Sequence, residues 1–394
     1  MVIWDADLRR LMVDAAVPGG AAAMIRGDEP VEFETFGVRD IRNPAPVDEA
    51  TIFDAASLSK PVFAYLVLQL ADDGLIDLNA PISRVIPNYF AGDPRTASIT
   101  ANHVLSHRTG LPNWRNLDLP LKTNLPPGER FSYSGEGYLY LQRAVEFVTG
   151  QTLETVARRL VFEPLAMEWS SYVWQDRFAS NRAFGHDAFG MPALSHKPGE
   201  ANSAWSLQTC AVDYARFLRA VLDGNRLSRE SAQLWLMPHV DISRRGIQRL
   251  DANTEHVETG VTWGLGWGLE SSSSTFFHWG DNGPFTSFTF GSLRERWAFV
   301  VFTNAASGHS VMSQIVERFT PGIRPSLNWL DYVRHDAPVR RLFRQALVHG
   351  AEVTWPQIEE AALDRDEILW IAQGLNAKGQ ENDGLWLRGR LDAK

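Results

Sequence analysis

From Pro61 to Ala71 the chain reads Pro-Val-Phe-Ala-Tyr-Leu-Val-Leu-Gln-Leu-Ala, apolar at nearly every position, and the run stops at Asp72-Asp73-Gly74. A stretch that is apolar all round and ends on glycine predicts a helix buried on every face. Upstream, Ala21–Ile25 and Val31–Gly37 flank Gly27-Asp28-Glu29-Pro30, the pattern of a β-hairpin. Between Gly74 and Gly224 the pattern predicts helices at Thr100–His107, Glu136–Thr149 and Ala211–Asp223. Within this stretch, Ser180–Ser203, rich in Gly, Pro, His and Asn, predicts a long surface loop of the kind that walls active sites. Strand patterns return at Thr262–Glu270, Thr275–Trp279, Thr286–Ser292 and Trp297–Thr303, with a serine run at Ser271–Ser274, a charged turn at Arg294-Glu295-Arg296, and a helix over His309–Phe319.

Strand segments near both ends therefore bracket a helical middle. This is an α+β plan: one antiparallel sheet domain from 1–56 and 225–320, with a mainly helical domain, 57–224, inserted between them. The cleft between the two is the default binding site. From Pro321 the character changes, and 321–394 reads as an appended helical region with helices at Asn328–Arg334, Val339–His349 and Gln357–Asn376, Pro356 lying near a helix start. That region is expected either to pack on the sheet domain or to form a homodimer contact.

Composition narrows the partners. The 394 residues are 44% hydrophobic and 22% charged, as in an ordinary soluble globular protein, and the net charge is −9 with no lysine- or arginine-rich run. Nucleic acid and anionic membrane surfaces are not expected partners. No apolar stretch approaches the roughly 18–20 residues of a membrane span, and Met1–Asp14 is charged and amphipathic with no signal-like core. As written the chain reads as cytoplasmic, and a trimmed mature form of a periplasmic or secreted protein would read the same. The one cysteine, Cys210, rules out an internal disulfide and reads as a core residue. No His/Cys/Asp cluster has metal-ligand spacing, so neither metal nor cofactor is expected.

Candidate chemistry begins just before the apolar helix, at Ser57-Leu58-Ser59-Lys60. Lysine is scarce here, five against 33 arginines, and only lysine can lose its proton inside a protein. Residues three apart share a helix face, and Pro61, lacking an N–H, favours a tight 3₁₀-like first turn that brings Ser57 and Lys60 closer still. The same four residues also read as an N-cap serine and a first-turn lysine. A lysine with its solution pKa is almost wholly charged at pH 7, a handicap of about 4.6 kcal/mol against acting as a base, so burial and a partner must lower it. Tyr133, in the small-residue turn Phe131–Tyr138, is a candidate proton relay, and also reads as an ordinary aromatic. His278-Trp279-Gly280-Asp281 lies on a predicted strand, where a glycine admits close backbone approach; an ordinary strand histidine fits as well.

Taken in order, Ser57-x-x-Lys60, Tyr133-Ser134-x and His278-x-Gly280, spaced by 76 and then 145 residues, resemble the serine β-lactamase and DD-peptidase superfamily, class C branch, which includes family VIII carboxylesterases and D-aminopeptidases. Phe53–Lys60, Ile99–Leu111, Asp213–Leu218 and Gly264–Gly268 are similar to further landmarks of that family, so the likeness covers roughly residues 15–320. It implies a β-lactamase-like fold, an antiparallel sheet flanked by terminal helices with an inserted helical domain. It further implies Ser57 as nucleophile, Lys60 and Tyr133 as base and relay, and the backbone N–H groups of Ser57 and Asp281 as oxyanion hole. His278 is implied as a further member of the catalytic set that orients the substrate, and Gly135, Trp279, Gly280 and Asn282 are the implied substrate contacts. Two departures bear on substrate. Gly135 stands where the family usually has the asparagine of Tyr-x-Asn, and His278 stands where β-lactamases usually have lysine, so efficient β-lactam hydrolysis is not expected. The expectation is a serine hydrolase forming an acyl-enzyme on small esters or amides, esterase-like or acyl-transferring. The alternatives are a D-amino-acid amidase or peptidase acting on short peptides, a weak β-lactamase, or a non-hydrolytic ligand- or penicillin-binding protein on the same fold. Of the 14 tryptophans, Trp114, Trp205 and Trp279 lie near these motifs.

Overall fold

Ten strands and thirteen α-helices follow from the computed structural model, which describes residues 5–392 apart from 91, 245, 248, 249, 251–255, 271–273, 321 and 323. The strands are β1 Gly19–Arg26, β2 Glu32–Gly37, β3 Phe53–Asp54, β4 Gln208–Thr209, β5 Val240–Asp241, β6 Val261–Trp263, β7 Gly268–Glu270, β8 Thr275–Asp281, β9 Thr286–Ser292 and β10 Trp297–Thr303. Eight form one sheet in the order β2-β1-β10-β9-β8-β7-β6-β5, every neighbouring pair antiparallel, and β3 with β4 makes a separate ribbon. The hairpin near the start of the chain thus joins the last strands, Gly20 opposite Thr303 and Arg26 opposite Trp297.

The helices before the last strands are α1 Ala6–Asp14, α2 Ser59–Asp72, α3 Ala101–Leu105, α4 Gly135–Thr149, α5 Leu153–Ala157, α6 Ala211–Asp223 and α7 Arg229–Trp235. After β10 come α8 Met312–Phe319, α9 Pro325–Leu330, α10 Pro338–His349, α11 Ala351–Glu360, α12 Arg365–Ala377 and α13 Glu381–Asp392. Strand side chains alternate in direction, so the sheet buries two faces. Ala21, Ala23, Phe276, Val300 and Phe302 share a core with α2, α4 and α6. Ala22, Met24, Phe277, Trp279, Phe299 and Val301 share the other with α1, α8 and α9. A third cluster lies among α10–α13, reached from the main body by Phe189.

Four expectations are corrected. Thr262–Glu270 is not one strand but the hairpin β6–β7, because Gly266 takes φ +88° and turns the chain against α2, where an added Cβ would lie 2.7 Å from Ala64 Cβ. The helix placed at Asn328–Arg334 is α9, which starts at Pro325 with its pre-set φ and is ended by Asp331 at φ +50°. Gln357–Asn376 is two helices: Ala362 at φ +51° breaks it, and Asp364 caps α12 in a reciprocal box with Glu367, which leaves Pro356 inside α11. The irregular Ser180–Ser203 segment is not confined to the surface, since Ala183, His186 and Ser203 are fully buried. Of the serine run, 271–273 lies outside the described residues.

Candidate active site

Ser57 sits in a 3₁₀ turn, Ala56–Leu58, that leads directly into α2. The turn is pinned from several sides. Ala55 N–H donates to Leu207 O (2.8 Å), Ser287 Oγ to Ala55 O (2.9 Å), Ser59 Oγ to Ala56 O (2.6 Å) and Tyr214 Oη to Leu58 O (3.2 Å). Ala56 adopts φ +50°, a left-handed conformation that costs an L-residue about 1–2 kcal/mol and that these contacts maintain. The strained residue stands directly before Ser57, which lines a cavity.

Lys60 is wholly buried, and its Nζ donates to Ser57 Oγ at 3.1 Å and to Ala204 O at 2.7 Å. Burial alone holds its pKa well below the ordinary lysine value. Nζ also lies 4.7 Å from the centre of the Tyr133 ring. Tyr133 occupies the extended approach to α4, whose first turn is capped by Ser134 Oγ accepting from Gly137 N–H at 3.0 Å. Its hydroxyl is buried beside Ser57, and burial pushes the phenol up while interaction with the Ser57 hydroxyl opposes part of the rise. The phenol therefore keeps its proton at neutral pH, whereas Lys60 is the group prepared to lose one.

His107 holds Tyr133 in place. Its carbonyl accepts from Ser132 N–H (2.8 Å), its Nδ1 accepts from Ser134 N–H (3.1 Å), and its ring stacks on Tyr133 at 4.2 Å. Nδ1 being an acceptor, the neutral ring carries its proton on Nε2. His278 has the opposite tautomer, Nδ1–H donating to Trp279 O at 2.8 Å. Burial first, then the neighbouring Lys60, lowers its pKa to about 3, so it is uncharged.

β8 brings the third motif to the turn. Asn282 N–H donates to Phe285 O, so in the antiparallel alternation Asp281, opposite Thr286, is a non-hydrogen-bonded position whose N–H points away from β9. β7 covers only Thr275–Phe277, which leaves this edge of β8 open toward Ser57. Ser57, Asp281 and Asn282 line one cavity of about 280 Å³ together with Asn113, Trp114, His196 and Trp205. Two larger hollows among the described residues, one beside Tyr332 and one beside Val257, touch neither Ser57 nor Lys60.

The sequence-derived residues divide accordingly. Ser57, Lys60 and Tyr133 converge, and Asp281 and Asn282 face the cavity. His278 and Trp279 are buried behind it, the former fully and the latter 5% exposed. Gly280 admits a close backbone, but that backbone is the protein's own: an added Cβ would lie 2.4 Å from Ala55 O and 2.2 Å from Ser287 Oγ. Gly135 lies under the Trp114 indole. Sequence reasoning missed Asn113, His196, His107 and the Ala204 carbonyl; only the Leu105–Leu111 landmark and the position of Trp114 pointed toward any of them. Among the described residues no group of three His, Cys, Asp or Glu could hold a metal ion, and no helix is long and apolar enough to cross a membrane.

Residues 4–315 match the family model described as Beta-lactamase. The chain is 25% identical over 288 residues to penicillin-binding protein 4 of Amycolatopsis lactamdurans, covering 68% of this chain and 74% of that one. It is 28% identical over 201 residues to esterase EstB of Burkholderia gladioli, covering 43% of this chain and 50% of that protein. A solved class C beta-lactamase superposes with a TM-score of 0.65 at 16% identity, over 80% of this chain and 95% of that one, a likeness of fold.

Proposed function

The chain belongs to the Beta-lactamase family, and from that premise we propose a serine hydrolase that works through a Ser57-linked acyl-enzyme on carboxylic esters or amides. The observation that carries this reading is the buried Lys60 amine, 3.1 Å from Ser57 Oγ with no carboxylate partner among the described residues. A neutral amine accepts the Ser57 proton as Oγ attacks the carbonyl, and the C=O electron pair moves onto oxygen. The N–H groups of Ser57 and Asp281 are suited to hold that oxyanion, each such donor being worth about 3–4 kcal/mol. Collapse of the intermediate expels the alkoxide or amine. Tyr133, still protonated, supplies the leaving group's proton and is reprotonated by the Lys60 ammonium. Water then attacks the acyl-enzyme through the same groups in reverse.

Esters are the favoured substrates, because a glycine at 135 offers no side chain to an amide and the first leaving step demands less protonation. A substrate bearing an ammonium group, as in a D-amino-acid amide, is the second reading, favoured by Asp281 as the one carboxylate lining the cavity. The experiment is a panel of a short-chain aryl ester, a D-alanyl amide and a chromogenic cephalosporin, run on the wild type and Ser57→Ala alongside fluorophosphonate labelling. Labelling and ester turnover that both vanish in Ser57→Ala are expected. Labelling of Ser57 without turnover of any panel member would point instead to a binding protein on this fold.

A further inference from the structure

The segment Asn113–Arg115 is clamped to the first turn of α4. Asn113 O accepts from Glu136 N–H and Asn113 Oδ1 from Gly135 N–H, both at 2.9 Å. Arg115 donates from Nε (2.9 Å) and Nη2 (2.6 Å) to Glu136 Oε2, and its N–H to Oε1 (3.0 Å), with the Glu136 carboxylate buried. A partly buried ion pair with three charge-assisted hydrogen bonds onto one carboxylate fixes a loop's geometry. What it fixes is Trp114, 46% exposed at the cavity, whose six-membered ring occupies the space a side chain at 135 would need: an added Cβ there would stand 2.6 Å from Cη2 and 2.8 Å from Cζ3. The glycine is the seat of the indole.

Trp205 also lines the cavity, with its ring packed edge-on against His196 at 6.0 Å. Among the described residues that lining holds no lysine or arginine, and its one carboxylate is Asp281, whose Oδ1 accepts from Gly283 N–H at 2.7 Å. Asn113, its Oδ1 accepting from Gly135 N–H, also lines the cavity and carries an amide NH₂ donor. Two indoles, an amide donor and a carboxylate make a surface for a flat apolar group that carries no negative charge.

We propose that the Ser57 cavity selects substrates with an aromatic, non-anionic group next to the reacting carbonyl, and that Trp114, seated on Gly135, sets this preference. The proposal rests on the acyl-enzyme reading for its kinetic test but not for its binding test. With one leaving group throughout, 4-nitrophenyl phenylacetate is expected to exceed 4-nitrophenyl acetate in kcat/KM by about tenfold or more, and to exceed its 4-carboxyphenylacetate analogue by a similar factor. In Trp114→Ala the phenylacetate-to-acetate ratio should fall to within about threefold of unity, chiefly through KM. Gly135→Ala, which keeps the indole but unseats it, should lower the ratio in the same direction, while Trp114→Phe should largely retain it. Calorimetry on unreactive Ser57→Ala with phenylacetamide reads the cavity without catalysis, and binding is expected that Ser57→Ala/Trp114→Ala loses. Ser57-dependent turnover with no aromatic preference, or a preference unmoved in Trp114→Ala, overturns the specificity proposal and leaves the mechanism standing. Phenylacetamide binding that depends on Trp114, with no turnover of any ester, overturns the mechanism and leaves the specificity standing.

Discussion

At the scale of single residues, the proposed proton transfer turns on one amine. Lys60 is stripped of water and receives no compensating charge among the described residues, so its neutral form is favoured in the folded protein. The active form is the unprotonated one. Its pKa lies well below 10.5, so activity should be retained as pH falls from the alkaline side and should be lost only as pH drops through that lowered value. A kcat/KM profile on an aryl ester is expected to show an acid limb far below 10.5; a limb near 10.5 would mean the amine is not desolvated during catalysis. Lys60→Arg preserves charge and removes the capacity to deprotonate, and should lower kcat by roughly 10²–10⁴-fold, the usual contribution of a general base. The Ser57–Lys60 pair could be read from the sequence because its geometry is local, three residues on one turn. The Ala204 carbonyl that holds Nζ and the His107 clamp on Tyr133 could not, since those contacts join segments 144 and 27 residues apart, for which no short-range pattern exists.

At the scale of elements, Gly280 links the sheet to the nucleophile turn. Its missing side chain lets Ala55 and Ala56 sit on β8, so Gly280→Ala must push either Ser287 or the Ser57 turn aside. Overpacking of this sort costs about 1–3 kcal/mol. The expected outcome is a lowered melting temperature with a drop in kcat larger than that of a control substitution of equal destabilisation elsewhere. Equal activity per folded molecule would show that the turn does not depend on this seat. Elements with strong periodicity and clear ends were legible: α6 and β9 fall on the residues their patterns mark, and α2 contains the marked run Pro61–Ala71, starting earlier at Ser59 and ending at Asp72. Those that differed were decided by single backbone conformations. Gly266, Asp331 and Ala362 all take positive φ, and only for glycine does the residue type hint at it. The Asp364 box with Glu367, an acidic cap three residues ahead of a glutamate, is a local signal for the start of α12 that lies within the apolar pattern spanning Gln357–Asn376.

At the scale of the whole molecule, the sheet is assembled from distant segments, β1 pairing with β10 across most of the chain. That plan was visible because strand patterns clustered near both ends with helices between. The packing of the last helices was not, because it depends on which core each one joins. Trp329 of α9 is buried against Phe131, Trp263, Phe277 and Trp279, so α9 completes the sheet's own core. Helices α10–α13 gather around their own cluster, docked through Phe189, which touches Phe343 and Trp370. A chain ending at Asp336 should therefore fold and melt cooperatively, whereas one ending at Thr320 should lose several degrees or fail to accumulate, having exposed the Trp263 face. Thermal melts of the two truncations check this, and equal stability would contradict it.

The central claim is a covalent bond to Ser57. The most direct test is rapid acid quench of the protein mixed with 4-nitrophenyl phenylacetate, followed by intact-mass and peptide mass spectrometry. One added acyl group per chain is expected, mapped to the peptide carrying Ser57 and absent from Ser57→Ala, which should also be inactive. Steady turnover by Ser57→Ala, or an acyl group mapped to another residue, would contradict it.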